Sequence, residues 1–205
     1  MMMTRRFFQL VWGLILYGFS MAMMLRANLG LDPWDVLHQG IAPVLGLSFG
    51  MTVNLVGLIV LLLWIPMRQR PGIGTVLNIV VIGTAVDLSL MILPTPLGYP
   101  ERFFFLTAGI VLNGIAGGAY IGAGLGPGPR DGLMTGICGR TGWPVKIVRT
   151  AIELTVLATG WLLGGTVGVG TVLYAASIGW IVHHALPWFQ LTPKAKDRTS
   201  VTATS

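Results

Sequence analysis

Shifting the sequence against itself by 96 residues lays its first half on its second without a gap. Between Arg6 and Val86, 27 of 81 aligned positions are identical. Arg6-Phe7-Phe8 falls on Arg102-Phe103-Phe104, and Leu29-Gly30 on Leu125-Gly126. Pro33, Asp35, Leu37, Gly40 and Ile41 fall on Pro129, Asp131, Leu133, Gly136 and Ile137. Gly72-Ile73-Gly74-Thr75 falls on Gly168-Val169-Gly170-Thr171. Shared apolar composition would align leucines and valines, but it would not bring a Pro-x-Asp and a Gly-x-Gly-Thr to one offset. The chain is a duplication, and whatever it folds into is built twice.

The duplicated unit is too apolar for a soluble domain. Of 205 residues, 54% are hydrophobic and 10% are charged, against roughly 25% charged in a typical soluble domain. The mean hydropathy is +0.78. Soluble enzymes, disordered chains and disulfide-stapled domains are excluded, the last because Cys138 is the only cysteine. Six blocks approach the ~20 residues a helix needs to cross a bilayer: 7–25, 51–67, 73–93, 103–124, 145–164 and 167–186. They are apolar on every face, unlike barrel strands, which alternate in polarity. Two further segments, Pro33–Leu45 and Pro129–Thr141, are helix-compatible but too short to span, and read as re-entrant or interfacial helices.

The expected fold is therefore all-α and integral to a membrane, with six transmembrane helices as two three-helix repeats. Residues 5–93 form the first repeat, 101–188 the second, and 189–205 a polar cytoplasmic tail. An odd number of spans per repeat places the second upside down relative to the first. With the N-terminus inside, Arg5, Arg6, Arg68, Arg70, Arg130, Arg140, Lys146, Arg149, Lys194, Lys196 and Arg198 fall on the cytoplasmic side. Arg26 and Arg102 alone fall outside, as the positive-inside rule demands. The net charge of +6 thus reads as orientation rather than nucleic-acid binding. The N-terminal Arg5-Arg6 and apolar run imitate a signal peptide, but the matching internal helix at Phe103 marks the first helix as a span that is not cleaved.

Few polar residues remain to carry function. Asp35 and Asp131 each follow a helix-starting proline by two residues, so their carboxylates fall in a first turn, where capping is the plain structural reading. If both segments dip inward from opposite faces, these ends approach one another. The repeat departs at Trp34 and Arg130, and Arg130 supplies a charge beside Asp131. Lys146, Arg149 and Glu153 recur at spacings of three and four, so they share a helical face. Glu153 lies near mid-span, where an unpaired charge costs at least about 2.5 kcal/mol, and Arg149 is its expected partner. Asp87 matches His183, an acid and a titratable base suited to proton coupling unless both simply face headgroups. His38 reads as interfacial, and Arg26 as a partner for Asp35 or Asp87. Gly114, Gly118, Gly122 and Gly126 form a four-residue ladder that admits a close helix neighbour, within the monomer or in a homodimer.

The run Gly124–Met134, with its counterpart Gly30–Leu37, resembles the bacterial YczE/YitT-like membrane protein family. Arg149 and Glu153 are similar to the charged pattern of that family's following helix. The resemblance covers about residues 5 to 188 and departs in having only a short polar tail where some members carry a soluble C-terminal domain. It implies a multi-pass protein of the bacterial inner (plasma) membrane with both termini cytoplasmic, and it supplies no reaction.

Inverted repeats with Gly/Pro-broken segments at corresponding places are a transporter pattern, with the site near the midplane. The expectation is a small secondary transporter or channel for an anionic or zwitterionic solute, using Asp35, Arg130, Asp131, Arg149, Glu153, Asp87 and His183. The alternative is a non-catalytic accessory or assembly protein. No nucleophile–base pair, metal spacing or cofactor motif is present in the sequence, so no enzyme activity, metal or cofactor is expected. The expected partners are the bilayer and a small molecule or ion, and no nucleic acid.

Overall fold

The computed structural model describes residues 2–191. The expected tail beyond Leu191, with Lys194, Lys196 and Arg198, lies outside the described residues. The described elements are all helices: α1 (Met2–Ala27), α2 (Pro33–Leu45), α3 (Phe49–Leu62), α4 (Trp64–Met67), α5 (Ile73–Ile92), α6 (Tyr99–Gly122), α7 (Pro129–Thr141), α8 (Val145–Leu162) and α9 (Val169–Phe189). Five helical stretches are long and apolar enough to cross a membrane: α1, Phe49–Met67 (α3 with α4), α5, α6 and α9. The sixth expected span, α8, has 18 residues and carries Lys146, Arg149 and Glu153.

Local chemistry explains the two short helices. Asp32 caps α2 by accepting from the Trp34 and Asp35 amides, and Pro33 occupies the first turn, where its missing N–H costs nothing. Gly46 ends α2 in the left-handed conformation at φ 65°, and Gly142 ends α7 at φ 70°. Both helices begin and end at the residues expected from sequence.

The offset of 96 recurs in the backbone. α2 and α7 start 96 residues apart, as do α3 and α8, and α5 and α9. The turns before the short helices use Gly30 at φ 113° and Gly126 at φ 125°. Each turn is held by the other half: Gly74 N–H donates to Leu125 O at 2.9 Å, and Gly170 N–H donates to Leu29 O at 2.8 Å. Donor and acceptor are related by the same offset in both bonds.

The helices fall into two packed groups. In one, α1 packs on α5 and α6, and α6 on α9. In the other, α2 lies against α8 and α3, and α7 against α3, α4 and α8. The main contact between the groups runs along α3 and α5.

Three of the four ladder glycines face α9 as a packing surface. A Cβ on Gly114 would meet Ile181, one on Gly118 would meet Ala185 at 3.0 Å, and one on Gly122 would lie 2.5 Å from Phe189 O. Gly126 departs from the ladder, because α6 ends at Gly122 and the chain then turns toward Gly72 and Thr75 of the other half. Arg26 also departs from expectation. Its guanidinium donates to Thr95 Oγ1 at 2.9 Å and to Leu90 O, closing the end of α5 rather than pairing with an aspartate.

Candidate functional site

The short helices bring their N-terminal ends together at the centre of the molecule. Trp34 and Arg130, which occupy the same position in the two halves, stack on one another, with the guanidinium carbon 4.9 Å from the ring centroid. Arg130 Nη2 also lies 3.8 Å from Asp35 Oδ1. The charge expected to compensate Asp131 thus reaches across to the other half instead. His38, expected at an interface, is 1% exposed and its Nδ1 sits 3.1 Å from Asp35 Oδ1. Its ring is enclosed by the Phe49 edge at 6.0 Å.

Asp32 was not singled out from sequence, yet it lies at the heart of the cluster, 2% exposed, with Asp35 at 0%. Asp32 Oδ1 is used by the helix cap, while Asp32 Oδ2 and Asp35 Oδ2 are buried without a hydrogen-bond partner. Both residues belong to the segment between spanning helices. Burial, reinforced by the neighbouring Asp35, raises the Asp32 carboxyl to about 7. Burial raises Asp35 to about 6, with Arg130 opposing the rise. Burial holds His38 well below its ordinary range, so it enters the cluster as a neutral ring.

An aromatic wall surrounds these charges. Tyr17 and Tyr120 meet edge to face at 6.1 Å between centroids. The Tyr120 hydroxyl donates to Asp131 Oδ2 at 2.9 Å. Tyr174 donates to Asn113 Oδ1 at 2.9 Å, and Asn113 Nδ2 donates to Ser20 Oγ at 2.9 Å, which fixes both side chains.

A cavity of about 400 Å³ leads from this cluster to the surface between α6, α7, α8 and α9. Asp32, Trp34, Arg130 and Asp131 line its inner end, and Arg149, Glu153 and His183 its mouth. Arg149 Nε donates to Glu153 Oε1 at 2.8 Å, the pair being 58% and 38% exposed. The mouth exists because α8 and α9 barely touch. A Cβ on Gly179 of α9 would meet nothing within 4 Å.

The equivalent seam in the first half is shut. A Cβ on Gly83, the counterpart of Gly179, would fall 2.2 Å from Gly50 O. Asp87 accepts from the Gly50 amide at 2.8 Å and from the Ser48 hydroxyl. Asp87 and its counterpart His183 therefore stand on different seams, one latched and one at an open mouth.

Of the expected site residues, Asp35 and Arg130 meet at the centre; Asp131 lines the same cavity but is held by Tyr120; Arg149, Glu153 and His183 line the approach; and Asp87 stands apart. Asp32, Tyr17, Tyr120, Tyr174 and Asn113 were not foreseen. Asp32 carried a readable signal, an aspartate directly before a helix-starting proline. The tyrosines sit in spans of uniformly apolar periodicity and carried none.

A family model described as a family of unknown function (DUF6198) matches residues 4–187. The chain belongs to that family. An uncharacterized protein of Haemophilus influenzae is 41% identical over 177 residues, 86% of this chain and 81% of that protein. An uncharacterized membrane protein of Bacillus subtilis, YczE, is 40% identical over 177 residues, 85% of this chain and 82% of its own. A second B. subtilis protein, YyaS, also uncharacterized, is 22% identical over 190 residues, 91% of this chain and 94% of its own. No solved structure matches the chain. The YczE-like resemblance read from the glycine- and proline-rich segments is the family to which the chain belongs, and membrane residence follows from that relative together with the apolar helices.

Proposed function

We propose that the protein is a small secondary transporter or channel of six membrane-crossing helices arranged as two inverted repeats, with both termini cytoplasmic in a bacterial inner membrane. α8 is the sixth span, and its Arg149–Glu153 pair offsets the cost of charge within the bilayer. No enzymatic step is assigned to it.

One observation carries this reading: the main cavity opens from a central charged cluster at the α8–α9 seam, whereas the equivalent α3–α5 seam is closed at Gly50, Gly83 and Asp87, with only a smaller pocket of about 100 Å³ beneath it. Alternating access in inverted repeats is largely rocking of one bundle against another about a fixed site. Each state then has one repeat shut and its counterpart open, and exchanging the two conformations moves the mouth to the other face. Under the positive-inside orientation, the mouth at His183 is cytoplasmic and the latched seam at Asp87 is external.

A double variant, Lys146→Cys with Gly179→Cys in a Cys138→Ala background, tests the rocking. These positions correspond to the touching Gly50 and Gly83. Oxidation should trap a cross-linked fraction whenever the mouth closes, whereas a static bundle would stay uncross-linked at all times. Inversion has its own test in single cysteines at Leu45 and Thr141, both exposed ends of the short helices. A membrane-impermeant thiol reagent should reach them from opposite sides.

A further inference from the structure

We propose that the central cavity binds an organic cation, an ammonium group carried on a small apolar body, with the Asp32 carboxylate as its counter-charge. The charge balance of the lining leads there. Three carboxylates, Asp32, Asp131 and Glu153, line the cavity with two guanidiniums, Arg130 and Arg149, and the buried Asp35 lies behind them against Arg130. Both guanidiniums are already engaged: Arg149 by Glu153 at 2.8 Å, and Arg130 by Asp35 at 3.8 Å and the Trp34 face. Among the described residues, Asp32 and Asp131 form no direct ion pair with a basic side chain, and the Arg130 charge acts on Asp32 only at longer range. Asp131 has the Tyr120 hydroxyl as a donor, while Asp32 Oδ2 has none and is buried.

A buried carboxylate oxygen without a donor is costly unless a cation or a proton meets it. The surroundings favour a bulky cation. Tyr17, Tyr120 and Tyr174 line the cavity beside the Arg130-stacked Trp34, and aromatic rings attract ammonium groups through their quadrupole. Ile152, Ile178 and Val182 supply apolar surface for the rest of such a ligand. The sign differs from the anionic or zwitterionic preference read from sequence, because the sequence shows Arg130 and Arg149 without showing that both are already paired.

The site rests on the cavity itself, so binding would stand even if the protein did not transport. Purified protein in detergent at about pH 8, above the ordinary carboxylate range, is titrated calorimetrically with choline, its neutral isostere 3,3-dimethyl-1-butanol, and benzoate. Choline should bind saturably, the alcohol at least tenfold more weakly, and benzoate not at all. Asp32→Asn should weaken choline at least tenfold while leaving the fold intact, because asparagine caps a helix as well as aspartate. A melting curve checks that fold, and Asp131→Asn supplies a second loss of charge away from the cap.

Lowering the pH should weaken choline binding, since protons compete for Asp32 amid Tyr17 of α1, Asp35 and His38 of α2, Arg130 of α7 and Tyr174 of α9. Equal binding of choline and the alcohol, binding of benzoate alone, or no binding by choline would each overturn the proposal. Cysteine trapping at the α8–α9 seam is read separately, so failure of cation binding leaves the rocking reading standing, and the reverse also holds.

Discussion

Two pairs of contacts related by the 96-residue offset behave in opposite ways. At the first pair the contact is kept with its volumes exchanged. Trp64 fills the space above Gly132, where a Cβ would fall 1.8 Å from the indole, and in the other half Gly160 lies against Val36 and Leu37. Bulk sits on the long helix in one half and on the short helix in the other. At the second pair the contact is lost: Gly50 and Gly83 touch, while Lys146 and Gly179 do not. The short helices are thus fastened to the long helices they cross in both halves. The seam between the two helix groups, by contrast, is closed in one half and open in the other, as expected of a body that moves as a unit.

The largest effect expected from this comparison is at Trp64. The side chain is 2% exposed and its Nε1–H donates to Pro129 O at 2.9 Å. Trp64→Ala should cost about 3 kcal/mol through the void and the orphaned carbonyl, read as a fall in detergent melting temperature. A neutral result would mean that α7 is not anchored to α4. A sharper comparison uses one substitution at two equivalent positions. Gly83→Ala places a methyl 1.9 Å from Asn54 Oδ1 and 2.2 Å from Gly50 O, and should destabilise by about 1–3 kcal/mol. Gly179→Ala meets open space and should be neutral or stabilise by up to about 1 kcal/mol, since alanine is the better helix former. Equal melting shifts would mean that the seams do not differ in solution.

Much of this architecture is legible in the sequence. The bounds of the short helices are legible because Pro33, Gly46, Pro129 and Gly142 are local signals whose effect does not depend on the neighbours. The glycine ladder is legible as a packing face because a four-residue spacing fixes one side of a helix, although Gly126 lies beyond the helix end. The centre was less legible. Which side chain meets Arg130 depends on how the halves are placed, and the naive partner, Asp131 beside it, points elsewhere. One rule would have helped: where two halves meet about an axis, the residue nearest that axis meets its own counterpart. Trp34 and Arg130 are such a pair, and their divergence from one another was visible as the break in an otherwise matched Pro-x-Asp. The open mouth had no sequence signal, because Gly83 and Gly179 are the same residue in the same motif and differ only in what lies opposite.

The smallest expected effect bears most directly on whether the shut seam is a latch. Asp87 joins α5 to the start of α3 through the Gly50 amide and the Ser48 hydroxyl, which itself caps α3 by accepting from Met51 N–H at 3.1 Å. Asp87→Asn keeps the shape and one acceptor oxygen but removes the charge, and a hydrogen bond to a charged group contributes about 1.5–3 kcal/mol against roughly 1 for a neutral one. The seam should therefore loosen by about 1 kcal/mol, a change of roughly fivefold in the population of the open seam. Thr52 is fully buried and its hydroxyl donates to Ser48 O at 2.9 Å, so a cysteine there, in a Cys138→Ala background, reports loosening of the Ser48 turn that Asp87 holds. Its modification rate by a small thiol reagent should rise about fivefold in Asp87→Asn, with little change in melting temperature. A fall in melting temperature without faster labelling would make Asp87 a fold residue. Faster labelling alone identifies it as the group that holds one side closed while the other is open.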